Sequence, residues 1–331
     1  MDDSPAPLPE GPMTRDSEPI RRRQFLVRGA SVGTLTLWMS RCAHAAPSQF
    51  RIVGYLPTYQ FPRLNLQAAA KLTDLILFAA APEQNGHVDL GKVVKAPFER
   101  LYALREKHQT RLLFSVAGYG SSSPFPAAVS TPENRGRFVQ STMKHLKEWK
   151  LDGVDLDWEY PRSQAEWDHY LLLLKALKEE LASENKSLSV TIAPSRDIPR
   201  DLAKHVDLVQ LMSYDYSGRH STFEQAELDI DNHLRKGIPR KKLILGIPFY
   251  GRHLTSWKAI TYSSLVSRYN PPEDADVVSE IYFNGRTTVR RKTQHAMSMK
   301  IGGVMIWEIG QDVQDERSLL RAIAETVSAG R

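Results

Sequence analysis

The chain has 331 residues, 41% apolar and 25% charged, enough for one large globular domain or two small ones. The formal charge of +6 is mild, and no Lys/Arg block or basic-aromatic stripe stands out, which argues against nucleic acid as partner and leaves a neutral polymer open. A single cysteine, Cys42, excludes a disulfide framework.

The first stretch reads as an address. Residues 1–20 are rich in Pro, Asp and Glu and are expected to be disordered, with Met13 as an alternative start. Arg22-Arg23 followed by Gln24-Phe25-Leu26 resembles a twin-arginine export signal. Gly29 to Ser40 is apolar but too short to span a bilayer, and Ala43-His44-Ala45 puts small residues at −3 and −1 of a cleavage site. Residues 1–45 are therefore expected to be a disordered N-terminus plus signal peptide, and residues 46–331 a domain exported to the periplasm or beyond. An amphipathic N-terminal helix or membrane anchor is the alternative; Arg41 beside Cys42 disfavours lipid attachment. Cleavage after Ala45 leaves no cysteine, which suits folding before export. No later run of about eighteen apolar residues exists, so no membrane span is expected.

Eight strand-like runs follow: Arg51–Leu56, Asp74–Ala80, Arg111–Ala117, Asp152–Trp158, Leu188–Ala193, Asp207–Ser213, Leu243–Phe249 and Gly303–Glu308. Most gaps carry helical patterns. Thr131-Pro132 caps a helix through Val139, Met143 and Leu146, and Ser163 to Glu166 is a capping box opening one through Leu171, Leu174, Leu177 and Leu181. Strands alternating with helices over this length predict a single (β/α)8 barrel, an α/β fold. A doubly wound open sheet would prefer a Gly-rich loop after its first strand, where Pro57-Thr58-Tyr59-Gln60 stands instead. The longest interval, 253–301, has room for a helix near Val289 to Met299 and a modest flap, not a large insertion domain. A shallow, open groove is expected from that.

The fourth strand carries the chemistry. In LDGVDLDWEYP, Asp155, Asp157 and Glu159 share one face while Val154, Leu156 and Trp158 share the other. In a barrel the acids point inward and Glu159 reaches the C-terminal rim, where barrel enzymes do their chemistry. Three carboxylates about 6–7 Å apart along a strand cannot all ionise in a low-dielectric interior. One must hold or share a proton, which suits a general acid for glycosidic cleavage. A Mg²⁺ or Ca²⁺ site and a structural ion-pair strand remain open on these residues alone. His145, His205 and His253 show no zinc spacing.

The segment Asp152 to Glu159 matches D-G-x-D-x-D-W-E, the signature of glycoside hydrolase family 18, the chitinases, which this chain resembles over about residues 51–313. Val53-Gly54-Tyr55, Leu77-Phe78-Ala79, Met212-Ser213-Tyr214-Asp215, Gly246 to Arg252 and Gly302 to Trp307 resemble further family stretches, in order. The resemblance implies Glu159 as general acid, with the substrate's own N-acetyl oxygen as nucleophile. It implies Asp157 on the acetamide N–H, Asp155 sharing a proton with Asp157, and Tyr214 on the acetamide oxygen. Trp307 would floor the sugar, Asp215 would lie near the scissile bond, and Met212, Tyr55, Phe78, Tyr250 and Arg252 would line the cleft. Arg252 equally suits a structural pairing with an acid.

No cofactor or metal is implied, and the expected partner is an N-acetylglucosamine polymer met by a monomer. Strand three departs from the family's S-x-G-G: it reads Ser115-Val116-Ala117-Gly118-Tyr119, and the Ala117 methyl, on inward parity, is expected to press on the aspartates or a sugar. An endo-β-N-acetylglucosaminidase acting on N-glycans or peptidoglycan is the alternative enzyme. A chitin-binding lectin of the same fold is the non-enzyme, disfavoured by the intact acids.

Overall fold

A computed structural model describes residues 50–330. The signal-peptide, cleavage-site, Cys42 and Met13 expectations lie outside the described residues.

Eight parallel strands form the frame: β1 Arg51–Pro57, β2 Asp74–Pro82, β3 Arg111–Ala117, β4 Gly153–Asp157, β5 Ser187–Ile192, β6 Leu208–Leu211, β7 Leu243–Pro248 and β8 Gly303–Trp307. Each pairs in parallel with its successor, and β8 returns to β1 through Arg51↔Gly303 to Gly54↔Ile306, closing a (β/α)8 barrel as predicted.

Alternation along each strand builds two separate packing layers. On β1, Ile52 and Leu56 join the layer between barrel and helices, whereas Val53 and Tyr55 face the interior. On β4, Val154 and Leu156 pack in that outer layer, which leaves Asp155 and Asp157 for the inside. Trp158, just past the strand, also faces the helices and stacks on Phe125 at 4.8 Å.

The two helices predicted around β4 form where their caps place them. Thr131 Oγ1 accepts from the Asn134 N–H at 3.2 Å, opening Pro132–Glu148. Ser163 Oγ accepts from Glu166 N–H at 3.2 Å, and the Glu166 carboxylate accepts from Arg162 N–H at 2.5 Å, opening Gln164–Ser183. Leu173, Leu174, Leu177 and Leu181 of that helix are fully buried. Each contributes about 2 kcal/mol by leaving water, so Leu177→Ala alone is expected to cost about 3 kcal/mol.

Three features differ from the sequence expectation. Strand β6 is shorter, because Met212 to Asp215 leave the sheet to form the rim of the site. The chain passes from β5 to β6 through the single 3₁₀ turn Leu202–Lys204. The interval after β7 folds a four-stranded antiparallel sheet from Tyr250–His253, Ala259–Thr261, Val277–Val278 and Ile281–Tyr282, with the helix Arg286–Ser298 behind it. No large insertion domain is present among the described residues, but the small sheet walls one side of the groove.

Candidate active site

A cleft of about 1450 Å³ opens at the C-terminal ends of the strands, and Asp157, Glu159, Tyr214, Asp215 and Trp307 all line it.

At its base Asp155 is fully buried and surrounded by donors. Its carboxylate accepts from Tyr55 Oη at 2.9 Å, Ser189 Oγ at 2.5 Å, Gln210 Nε2 at 2.9 Å, Thr191 Oγ1 at 3.1 Å and, more weakly, Ser115 Oγ at 3.4 Å. Burial pushes this carboxyl up, and the bonds from Ser189, Tyr55, Gln210 and Thr191 pull it back. A carboxylate so filled with O–H and N–H donors is built to hold a charge or share a proton. It offers no free face to a cation, so the Mg²⁺ or Ca²⁺ alternative loses its central ligand. Asp152, the remaining acid of the segment, belongs elsewhere: its Oδ2 accepts from Leu112 N–H at 2.8 Å at the start of β3.

Asp157 lies next along the strand and is also buried, but its Oδ1 has no hydrogen-bond partner among the described residues. Burial, then the charges of Glu159 and Asp155, push its carboxyl well above the usual range. Glu159 is half-buried at the rim, and burial raises it too, with Asp215 adding to the rise against opposing bonds from Tyr160 and the Tyr119 backbone. Its backbone is fixed by Ser122, whose Oγ accepts from Glu159 N–H at 2.9 Å. Non-proline cis peptides occur at Phe78–Ala79, Glu159–Tyr160 and Trp307–Glu308, beside three of the site residues.

The opposite wall comes from the end of β6 and the small sheet. Tyr214 is buried, and among the described residues its hydroxyl bonds only Met305 Sδ, at 3.8 Å. Burial first, then Tyr250 and Asp157, keep that phenol protonated and therefore a donor. Asp215 adopts φ 65°, a left-handed conformation aspartate tolerates. Its carboxylate accepts from Tyr250 Oη at 2.8 Å, Arg252 Nε at 2.6 Å and Arg252 Nη2 at 2.8 Å. Burial would raise it, but His220, Arg252 and Tyr250 overcome that and hold it below the ordinary carboxylate range, so it stays ionised. On the floor, Trp307 meets Phe78 edge-on at 4.7 Å and Tyr55 at 5.6 Å.

The profile of glycosyl hydrolases family 18 matches residues 51–312. The chain belongs to glycosyl hydrolase family 18. It is therefore a glycoside hydrolase. Endochitinase 1 of Metarhizium robertsii is 26% identical over 292 residues, covering 70% of this chain and 69% of that protein. The family 18 chitinase ChiB of Flavobacterium johnsoniae superposes with a TM-score of 0.76 at 28% identity, over 85% of this chain and 95% of that one. A Bacteroides thetaiotaomicron chitinase, at 24% identity over 85% of this chain and 97% of that one, shares the fold with the same TM-score.

Within this family 18 hydrolase the predicted residues separate by position. Asp157, Glu159, Tyr214, Asp215, Met212, Phe78 and Trp307 meet in the cleft. Tyr55 also lines it, and its hydroxyl bonds Asp155. Arg252 combines both of its expected roles, lining the cleft while paired with Asp215.

The expectation for Ala117 is corrected. At φ 72° the chain turns left-handed, and Ala117, though level with Asp157 in the strand register, packs with the apolar residues of the layer between barrel and helices. Gly118 approaches instead: a Cβ there would lie 2.3 Å from Phe78 Cζ and 3.1 Å from Asp157 Oδ2. Tyr119 projects at the mouth, 91% exposed.

Sequence reasoning missed Ser189, Thr191 and Gln210 as partners of Asp155, Ser122 as the anchor of Glu159, and Trp257 of the small sheet. Trp257 lines the cleft and stacks under the Arg252 guanidinium at 5.0 Å. Inward parity on β5 and β6 was the one available signal for the first three.

Proposed function

We propose that this enzyme hydrolyses β-1,4-linked N-acetylglucosamine polymers, chitin and its oligosaccharides, by endo-acting, substrate-assisted cleavage with retention of configuration. The observation that carries the reading is a pair of polar groups in the cleft of Glu159: the Asp157 Oδ1, which has no hydrogen-bond partner among the described residues, and the Tyr214 hydroxyl, whose one recorded contact is a thioether. Together they match the N–H and C=O of one acetamide. The chitinase names of the Metarhizium and Flavobacterium relatives support chitin as the polymer.

In this mechanism Glu159 gives its proton to the leaving oxygen as the glycosidic C1–O bond breaks. The acetamide oxygen bonds to C1 from the opposite face, forming an oxazolinium ion. Asp157 holds the acetamide N–H and balances the positive charge, Asp155 takes part of the Asp157 proton, and Tyr214 donates to the acetamide oxygen until it attacks. Water, deprotonated by Glu159, then opens the ring and restores the acid. Trp307 floors the sugar with its aromatic face, Asp215 contacts it near the scissile bond, and Met212, Phe78, Tyr250 and Arg252 shape the cleft around it. No cofactor is required, and a monomer exported by the twin-arginine route is the form proposed to act.

The test is a substrate panel. N-acetylglucosamine oligomers, their de-N-acetylated counterparts, muropeptides and a high-mannose glycopeptide are incubated with the protein. Cleavage of the acetylated oligomers alone is expected. Cleavage of the glycopeptide or muropeptides alone would move the substrate, and equal rates on the de-N-acetylated oligomer would remove the substrate-assisted step.

A further inference from the structure

Behind the Asp215 wall lies a buried polar chain that the proposed chemistry does not use. Lys292, on the helix Arg286–Ser298, is fully buried. Its ammonium donates to Ser221 O at 2.8 Å, Ser221 Oγ at 2.7 Å and Asn284 Oδ1 at 2.8 Å. Burying a cation at three neutral acceptors is costly, and burial pushes this amine down to about 7, with Asp276, Asp229 and Glu224 opposing the fall. Packing alone would be served better by a methionine.

What the cation holds is specific. Ser221 Oγ in turn donates to Ser213 O at 2.8 Å, and Ser221 O also accepts from Asn284 Nδ2 at 2.7 Å and Tyr282 Oη at 3.3 Å. Ser213 and Ser221 bracket the loop that carries Tyr214 and Asp215, so one ammonium ties both of its ends. Asp229 reinforces the same loop, accepting from Ser213 Oγ at 2.5 Å and Tyr216 Oη at 2.7 Å.

His220, next to Ser221, is fully buried, and neither ring nitrogen has a hydrogen-bond partner among the described residues. Its Nδ1 stands 3.6 Å from Asp215 Oδ1, outside hydrogen-bond range but within ion-pair range. The ring packs on Tyr250 at 5.2 Å and edge-on against Trp257 at 6.4 Å and Tyr282 at 5.8 Å. Tyr250 bonds Asp215, and Trp257 stacks with Arg252 while its carbonyl accepts from Arg252 Nη1 at 3.2 Å, so His220 touches the residues that aim that carboxylate. The charges facing His220 are Asp215, Lys292 and Arg252.

We propose that Lys292 and His220 are positioning residues of the reaction: Lys292 anchors the loop after β6 through Ser221, and His220 braces the Asp215 carboxylate from its buried side. Neither touches substrate. Their effect reaches the chemistry through Asp215, whose negative charge keeps the Glu159 proton in place. These roles presuppose that Glu159 is the acid, as proposed above.

The test compares Ser221→Ala, which removes only the hydroxyl link, His220→Asn, Lys292→Met and Lys292→Arg with the parent chain on an N-acetylglucosamine tetramer. Thermal melts confirm that each variant is folded. Misplacing Asp215 is expected to lower kcat about tenfold in Ser221→Ala and His220→Asn, with KM changed less than about twofold. The alkaline limb of the kcat profile is expected to move about half a unit to lower pH, because Asp215 no longer supports the proton on Glu159. Lys292→Arg, which keeps the cation, should retain more activity than Lys292→Met. Unchanged kcat and unchanged profile in both Ser221→Ala and His220→Asn overturn the proposal, whatever the Lys292 variants do; so does lost kcat with an unmoved profile, which marks plain structural support. Glu159→Gln serves as the separate control: its retaining activity would sink the functional reading instead.

Discussion

The Tyr55 hydroxyl on β1 donates to Asp155 Oδ2 on β4 at 2.9 Å, across the barrel interior. Gln210 of β6 donates both to that hydroxyl at 2.8 Å and to Asp155 Oδ1 at 2.9 Å, so three strands meet at one buried carboxylate. Removing the hydroxyl leaves a buried charge with one donor fewer. Tyr55→Phe is expected to cost about 2 kcal/mol in a denaturant melt and to shift the pH profile of kcat, because a less stabilised Asp155 anion is the stronger base and draws more of the proton it shares with Asp157.

Tyr214→Phe should behave differently. In the free enzyme its hydroxyl has only a thioether contact, so its loss is expected to change stability by less than about 0.5 kcal/mol. The same change removes a donor to the reacting acetamide, and kcat/KM should fall about a hundredfold. Paired melts and kinetics separate the two effects.

Asp157 and Glu159 repel each other, so neutralising one must lower the other. Asp157→Asn is expected to move the alkaline limb of the kcat/KM profile to lower pH, in addition to slowing the reaction. Stability follows the same sign. Because burial raises the folded-state Asp157 above its ordinary 3.8, its protonated form stabilises the fold fully below about pH 4, and that stability is lost as pH rises through the folded value. Melting temperatures measured from pH 4 to 8 should therefore fall less steeply in Asp157→Asn than in the parent chain.

Gly118 is at φ 117°, and an added methyl has Phe78 and Asp157 in its way. Gly118→Ala is expected to cost about 2 kcal/mol or more from backbone strain and overpacking, and to reduce activity more than stability, since both displaced side chains belong to the cleft. Normal turnover in a folded Gly118→Ala protein would contradict this placement.

The barrel was legible because its cause is local. Val154 and Leu156 at alternate positions of 153–157 face the helices, so the acids between them face inward. The same alternation made Asp155, Asp157 and Glu159 readable as one ladder. What stayed hidden depends on closure. Tyr55, Ser189, Thr191 and Gln210 reach Asp155 from distant strands, and no short pattern marks them. Parity failed at Ala117 because a left-handed backbone breaks the period at the strand's end. The small sheet escaped notice since strands as short as Val277–Val278 carry no periodicity. His220 and Lys292 look ordinary in sequence, and only burial sets them apart.

The proton ladder beneath an acetamide-driven cleavage is tested most directly by the anomeric form of the first product. Proton NMR during the opening minutes of N-acetylglucosamine tetramer hydrolysis should show the β-anomer first, with the α-anomer appearing later by mutarotation. The α-anomer appearing first would mean direct attack by water, and would contradict the account.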